Sequence, residues 1–195
     1  IVGLDRVLRQ AIAVGRVPSF ILWGPPGSGK TTLARLVAGV TDAHFGSVSA
    51  VTSGVADLRR TAVEARERQG MYGRRTILFV DEIHRFNKAQ QDVILPHVED
   101  GTVTFIGATT ENPSFEVIGP LLSRSRVFTL ETLTPEHVDT IIRRALSDEE
   151  RGLGALKVVL EEVAREHLVN MAGGDARVAL NALETAAYAA LSDSA

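Results

Sequence analysis

Lys30 and Thr31 close the run Gly24-Pro25-Pro26-Gly27-Ser28-Gly29-Lys30-Thr31, which has the spacing G-x-x-x-x-G-K-[ST]. That spacing has a definite chemistry, the holding of a nucleoside triphosphate by its phosphates. Glycines at these positions let backbone N–H groups turn inward around phosphate oxygens with no side chain in the way. The helix expected behind them adds partial positive charge. Lys30 is placed to reach the β- and γ-phosphates and Thr31 to ligate Mg²⁺, with Thr32 beside it among the nucleotide-contacting residues. A second pair of reactive groups, Asp81 and Glu82, ends an apolar run. Asp81 suits a Mg²⁺ ligand, direct or through water. Glu82 suits the group that orients and deprotonates an attacking water, because side chains that succeed one another at a strand end diverge.

The elements that must position these groups are legible on either side of them. Phe20-Ile21-Leu22-Trp23 is an apolar run of strand length, and Thr31 to Val40 carries Leu33, Leu36 and Val37 at helical spacing. Strand, glycine loop and helix in that order is the context the motif requires. Thr76-Ile77-Leu78-Phe79-Val80 is continuously apolar, as in a strand buried on both faces of a parallel sheet. His44 to Val48 and Val103 to Gly107 add strands, and Val127 to Leu130 a last one. Helices are expected at Val2 to Val17, from Val55 until Gly70 ends it, from about Lys88 with Pro96 kinking or shortening it, and at Pro120 to Arg124. This alternation predicts an α/β fold, a parallel sheet between helices, with ligands at the carboxyl ends of the strands.

After Leu133 the strand signals stop. Thr134-Pro135 is a helix start, and Val138, Ile141, Ile142 and Ala145 form an apolar stripe. Leu160, Val163, Ala164, Leu168 and Met171 mark a second helix, which Gly173-Gly174 breaks. Asp175 caps a third, bearing Leu180, Leu183, Ala187 and Leu191. Residues 1–133 therefore read as the nucleotide-binding domain and 134–195 as a small all-helical lid domain.

Other polar residues carry weaker signals. Thr109 and Thr110 follow a neighbouring strand, where a hydroxyl can face a γ-phosphate or a water. Arg124 and Arg126 follow a short helix, and arginine suits charge that develops on a transferring phosphoryl group. Arg177 lies in the first turn of the third lid helix, against the helix dipole, which a bound anion would explain. His84, His97 and His137 lack metal-ligand spacing and read as structural or surface residues. Arg59, Arg60, Arg66 and Arg68 read as a solvated helix face. A net charge of −3 excludes a global attraction to nucleic acid, leaving a local patch or a partner to supply any DNA contact. With no cysteine there is neither a disulfide framework nor a thiolate zinc site, and a reducing, cytoplasmic setting is expected. No apolar run approaches membrane-spanning length and no signal peptide is seen.

Taken together, the phosphate loop, Asp81-Glu82, Thr109-Thr110 and the glycine-led Arg177 resemble the AAA+ ATPases of the clamp-loader and branch-migration group. Asp81-Glu82-Ile83-His84-Arg85-Phe86-Asn87 and Gly107-Ala108-Thr109-Thr110-Glu111-Asn112-Pro113-Ser114-Phe115 are more specifically similar to the replication-associated recombination protein A family, which includes the Werner-helicase-interacting proteins. The resemblance implies that Thr110, ahead of Thr109, is the sensor 1 residue. It implies that Leu121-Leu122-Ser123-Arg124-Ser125 is the clamp-loader Ser-Arg-Cys motif with Ser125 in place of cysteine. Arg124 is then an arginine finger acting on ATP in a neighbouring subunit, and Arg177 is sensor 2. Ile1-Val2-Gly3 resembles the end of the adenine-contacting box, so the chain, which opens without methionine, reads as trimmed within that element.

By the same resemblance the expected ligands are ATP and Mg²⁺, and the expected setting is bacterial, cytoplasmic and nucleoid-associated. The expected partners are DNA forks, ends or single-strand gaps, single-strand DNA-binding protein, and further copies of the full-length chain. Nothing in the sequence matches the C-terminal region associated with tetramers in longer members of the family. The function expected is DNA-dependent ATP hydrolysis at stalled forks or recombination intermediates. Two alternatives stand beside it: a Holliday-junction branch-migration or clamp-loading subunit, and a scaffold that senses nucleotide without hydrolysing it. The Glu111-to-Phe115 run argues against the first, and an intact Glu82 and Arg124 against the second.

Overall fold

The computed structural model describes residues 17–192. The expected first helix and the Ile1-Val2 adenine contacts therefore lie outside the described residues. Contacts divide the chain into two compact units. One holds Lys30–Leu130 with the chain up to Gly24; the other holds Pro25–Gly29 and the chain from Glu131 onward. The division falls just after Leu130, where the sequence reading placed it after Leu133.

The first unit is built on five parallel strands: β1 (Phe20–Trp23), β2 (His44–Ser49), β3 (Thr76–Asp81), β4 (Val103–Thr109) and β5 (Arg126–Thr129). Their order across the sheet is β2-β3-β4-β1-β5. Each strand that the sequence marks as continuously apolar is buried on both faces, and its alternate residues serve two different cores. Ile21, Leu78, Val80 and Phe105 face one side with Leu58 and Ile94. Those last two come from α2 (Val55–Tyr72) and α3 (Lys88–Glu99). Phe20, Leu22, Ile77, Phe79 and Ile106 face the other side with Ala34 and Val37 of α1 (Lys30–Val40). Two short helices, α4 (Pro113–Glu116) and α5 (Gly119–Ser123), lead to β5, an edge strand with exposed residues.

Two helix ends differ from the sequence expectation. The helix α2 runs through Gly70 and stops at Tyr72, where Gly73 takes the left-handed conformation that ends it (φ 63°). Pro96 lies inside α3, which continues to Glu99. A proline there forfeits a single backbone hydrogen bond close to the helix end, so the last turn survives.

The second unit is helical: α6 (Pro135–Ser147), α7 (Glu162–Ala172) and α8 (Ala176–Ser192). Thr134 caps α6, accepting the His137 N–H, and Asp175 Oδ1 accepts the N–H groups of Arg177 and Val178 at the start of α8. Val138, Ile142, Leu168, Ala172, Ala179, Leu183 and Ala187 form its core. Val163 and Met171, expected on the apolar stripe of α7, are exposed instead, and Leu160 precedes the helix. Among the described residues no helix is long and apolar enough to cross a membrane.

Candidate active site

The order of the strands sets three carboxyl ends side by side, those of β3, β4 and β1. Trp23 is level with Thr109, and Val80 with Gly107. Backbone bonding carries the alignment past β1, because the Gly24 N–H donates to Thr109 O at 3.1 Å. Gly24 must be glycine, since a Cβ there would lie 2.3 Å from Leu130 O. Along the loop, Gly27 (φ 69°) and Gly29 (φ 89°) take the left-handed region, and a Cβ on Gly29 would meet only open space. Such a backbone turns successive N–H groups toward one side, ahead of the N-terminus of an eleven-residue helix. Lys30 begins that helix, is 8% exposed, and donates from Nζ to Gly24 O at 2.8 Å. Thr31 and Thr32 follow it in the first turn.

Asp81 is the last residue of β3, and its carbonyl accepts the Ala50 N–H at 3.0 Å. Glu82 leaves the strand in the left-handed conformation (φ 55°, ψ 47°), a costly one for a residue with a side chain. A 3₁₀ turn, Ile83–Arg85, follows at once, with Ile83 fully buried as its anchor. The bend swings Glu82 out of the pleat that Asp81 still obeys, so the two carboxylates take different directions.

Thr109 belongs to β4 itself and is completely buried, whereas Thr110 lies just beyond the strand and is partly exposed. The Thr109 Oγ1 is 3.0 Å from His84 Nδ1 and accepts the Glu111 N–H at 3.0 Å. His84 Nε2 is in turn 3.3 Å from Glu82 Oε2. Of the two threonines, Thr109 is the one bonded into the acid cluster. His84, read from sequence as a structural or surface residue, joins the two.

Arg124 stands apart from this cluster. Its guanidinium bonds Glu99 Oε1 at 2.6 Å and Pro120 O at 2.9 Å, and its side chain is 42% exposed. Ser125 follows with its hydroxyl buried and unpaired among the described residues. Gln91 of α3 braces the segment before Arg124. Its amide donates to Phe86 O and Glu116 O and accepts from the Ile118 N–H, at 3.0, 2.8 and 2.9 Å. Arg177, in the second unit, is exposed in the first turn of α8. Three of the four arginines of α2 have partners of their own: Arg60 pairs with Asp57, Arg66 with Asp100, and Arg68 donates to Thr76.

A lysine-threonine phosphate loop after β1 and an Asp-Glu pair ending β3, in the order β2-β3-β4-β1-β5, agree with the family model that the sequence matches. Residues 20–134 fit the ATPase family associated with various cellular activities (AAA). The chain belongs to the AAA ATPase family. Among its relatives, this AAA chain is 51% identical over 184 residues to Replication-associated recombination protein A of Escherichia coli (strain K12), covering 94% of the chain and 41% of that protein. It is 52% identical over 193 residues to the protein of that name from Coxiella burnetii, covering 99% and 43%. It is 48% identical over 182 residues to ATPase WRNIP1 of Dictyostelium discoideum, covering 93% and 20%. The chain thus spans less than half the length of these relatives. Among solved structures it is similar to the Thermotoga maritima RuvB Holliday junction branch migration motor, with a TM-score of 0.72 and 30% identity over 93% of this chain and 58% of that one.

Proposed function

We propose that the chain binds ATP with Mg²⁺ and hydrolyses it, as the motor unit of a DNA-dependent ATPase in replication-fork maintenance and recombination. The observation that carries the proposal is the pair Asp81 and Glu82, one acid held in the strand and its neighbour turned out of it, in a chain whose phosphate loop holds Gly27 and Gly29 in the left-handed region. Thr31 and Asp81 are the residues suited to hold Mg²⁺, and both are hard oxygen donors of the kind that ion takes. The ion would supply charge neutralisation between the β- and γ-phosphates. Lys30 draws negative charge from the phosphates, and Glu82 takes the proton of the attacking water. Arg124 and Arg177 are assigned to the γ-phosphate of a neighbouring copy and of the same chain respectively. The first 29 residues contribute Gly24, Pro25, Pro26, Gly27, Ser28 and Gly29 as the cradle, and Ile1 and Val2 are assigned to the adenine.

The name Replication-associated recombination protein A, carried by relatives, supports a role in replication and recombination. The partners proposed are DNA forks, ends or gaps, single-strand DNA-binding protein and further copies of the full-length chain, and the setting proposed is cytoplasmic and nucleoid-associated. The likeness to the RuvB motor favours a second reading, branch migration on four-way junctions. Steady-state ATP turnover, measured alone and with forked, four-way and single-stranded DNA, tests both. Stimulation by forks or gaps supports the first reading, and stimulation confined to four-way junctions the second. Glu82→Gln should bind ATP normally while turnover falls by about 10²–10⁴. Turnover that Glu82→Gln leaves intact would refute the assignment of the base.

A further inference from the structure

We infer that His84 is a positioning residue for hydrolysis, tying the Glu82 carboxylate to the Thr109 hydroxyl so that two strand ends hold the base as one unit. The inference rests on the reading of Glu82 as the base.

Position along the sheet makes the tie possible. The strands β3 and β4 are in register at Val80 and Gly107, and two residues further on each chain lie Glu82 and Thr109. The 3₁₀ turn after Glu82 brings the His84 ring back into the space between them, with its side chain only 11% exposed. Polarity then fixes the direction of the bonds. A carboxylate has no proton to give, so a hydrogen on Nε2 would face Glu82 Oε2, which lies 3.3 Å away. With the hydrogen on Nε2, Nδ1 is an acceptor, and the Thr109 hydroxyl, 3.0 Å away, can give it the proton that otherwise goes to Glu111 O at 3.2 Å. Thr109 Oγ1 keeps a lone pair for the Glu111 N–H, also at 3.0 Å. The result is a line of polar contacts from the Glu111 backbone through Thr109 and His84 to Glu82.

Backbone strain supplies the need for such a tie. Glu82 holds a left-handed conformation that a side-chain-bearing residue avoids unless its surroundings impose it. Ile83 anchors the turn on the core side. Among the described residues, His84 is the one charge-pair partner of the Glu82 carboxylate. Without the ring, the carboxylate could leave the direction in which it meets water while nucleotide binding, which rests on the loop and Lys30, stayed as it was.

Five variants and one spectrum test this. His84→Ala should lower kcat by about 10²-fold, the usual cost of a misplaced catalytic group, with KM and directly measured ATP affinity unchanged. His84→Gln keeps a donor for Glu82 and should recover part of the loss. Thr109→Val should also lower kcat, and the double variant His84→Ala/Thr109→Val should fall no further than the worse single one, because the tie is already cut. Independently of turnover, the imidazole ¹⁵N shifts of His84 in the unsubstituted protein should show the proton on Nε2, and Thr109→Val should move the Nδ1 signal. Additive losses, a raised KM with kcat unchanged, or a ring whose Nε2 carries no proton would overturn the inference. If Glu82→Gln abolishes turnover while His84→Ala does not, the role of His84 falls and that of Glu82 stands. If Glu82→Gln leaves turnover intact, the base itself is wrongly assigned.

Discussion

The guanidinium of Arg124 closes on the carboxylate of Glu99 at 2.6 Å, joining the end of α3 to the residue that follows α5. Both side chains are more than 40% exposed, so water screens the pair and it contributes only about 0–1 kcal/mol. Such a pair aims a side chain at little cost in freedom to leave. Glu99→Gln should therefore shift the denaturant midpoint by less than about 1 kcal/mol and leave ATP affinity unchanged. A larger loss of stability would mean that Glu99 supports the fold and does not merely hold Arg124.

Gln91 makes the opposite case, because its side chain is 1% exposed and three backbone groups depend on it. Gln91→Leu keeps the bulk but strands the Ile118 N–H and deprives two carbonyls. Each buried group left unpaired costs about 1–3 kcal/mol. Chemical denaturation should show a loss of at least that size. It should exceed that of any surface glutamine changed in the same way, Gln90 aside, which closes the capping box of α3.

Ser125 departs from the cysteine expected in its motif, and its buried hydroxyl has no partner among the described residues. Sulfur is at ease in apolar surroundings where an unpaired hydroxyl is not. Ser125→Cys should accordingly stabilise the protein by about 1 kcal/mol, read as a raised melting temperature with turnover unchanged. A lower melting temperature would mean that the hydroxyl has a partner in solution.

The parts of the molecule that follow from spacing were legible in the sequence: β1 and β3 as doubly buried strands, the phosphate loop between β1 and α1, and the acids ending β3. Relations between distant residues were not. His84 bonds Thr109 from 25 positions away, and no local pattern distinguishes that histidine from a surface one. The left-handed turn at Glu82 is equally silent, because glutamate gives no composition signal for it. The end of α2 was misjudged for a plainer reason. Gly70 is solvent-exposed and tolerated within the helix, while the left-handed stop is at Gly73. Val163 misled because α7 starts only at Glu162, which turns Val163 outward and leaves Leu168 and Ala172 to face the core.

Acid should act on the helical unit through Asp139, whose carboxylate bonds Arg143 and Arg165, while Arg165 also pairs with Glu162. The hydrogen bond from Arg143 is the largest influence and lowers the Asp139 pKa; burial opposes it, the bond from Arg165 lowers it further, and the net direction is down. A depressed folded-state pKa stabilises above the unfolded value of about 3.9 and is lost as pH falls through the folded one. Glu162, also depressed by Arg165, acts in the same direction. The stability difference between the unsubstituted chain and Asp139→Asn should be constant near neutral pH and shrink below about pH 4. A difference that grew on acidification would reverse the sign and sink the account.

The last prediction concerns a site completed by two copies of the chain. Lys30, Asp81, Glu82 and Thr109 all belong to one unit, while Arg124 bonds Glu99 and Pro120 and none of them. On the proposed reading, one copy binds ATP yet lacks the cation that stabilises charge on the transferring phosphoryl group. An arginine supplied from outside typically contributes about 10³–10⁵ in rate. Specific activity should therefore rise with protein concentration, and the dilute chain should bind ATP while turning it over slowly. Mixing gives the decisive comparison. Arg124→Ala keeps an intact phosphate loop, and Lys30→Ala keeps its finger; each alone should be nearly inactive. Together they should regain turnover, because an Arg124→Ala copy binds the nucleotide and a Lys30→Ala copy lends the arginine. Turnover that does not depend on concentration, with no recovery on mixing, would mean that Arg124 serves its own chain or takes no part in the reaction.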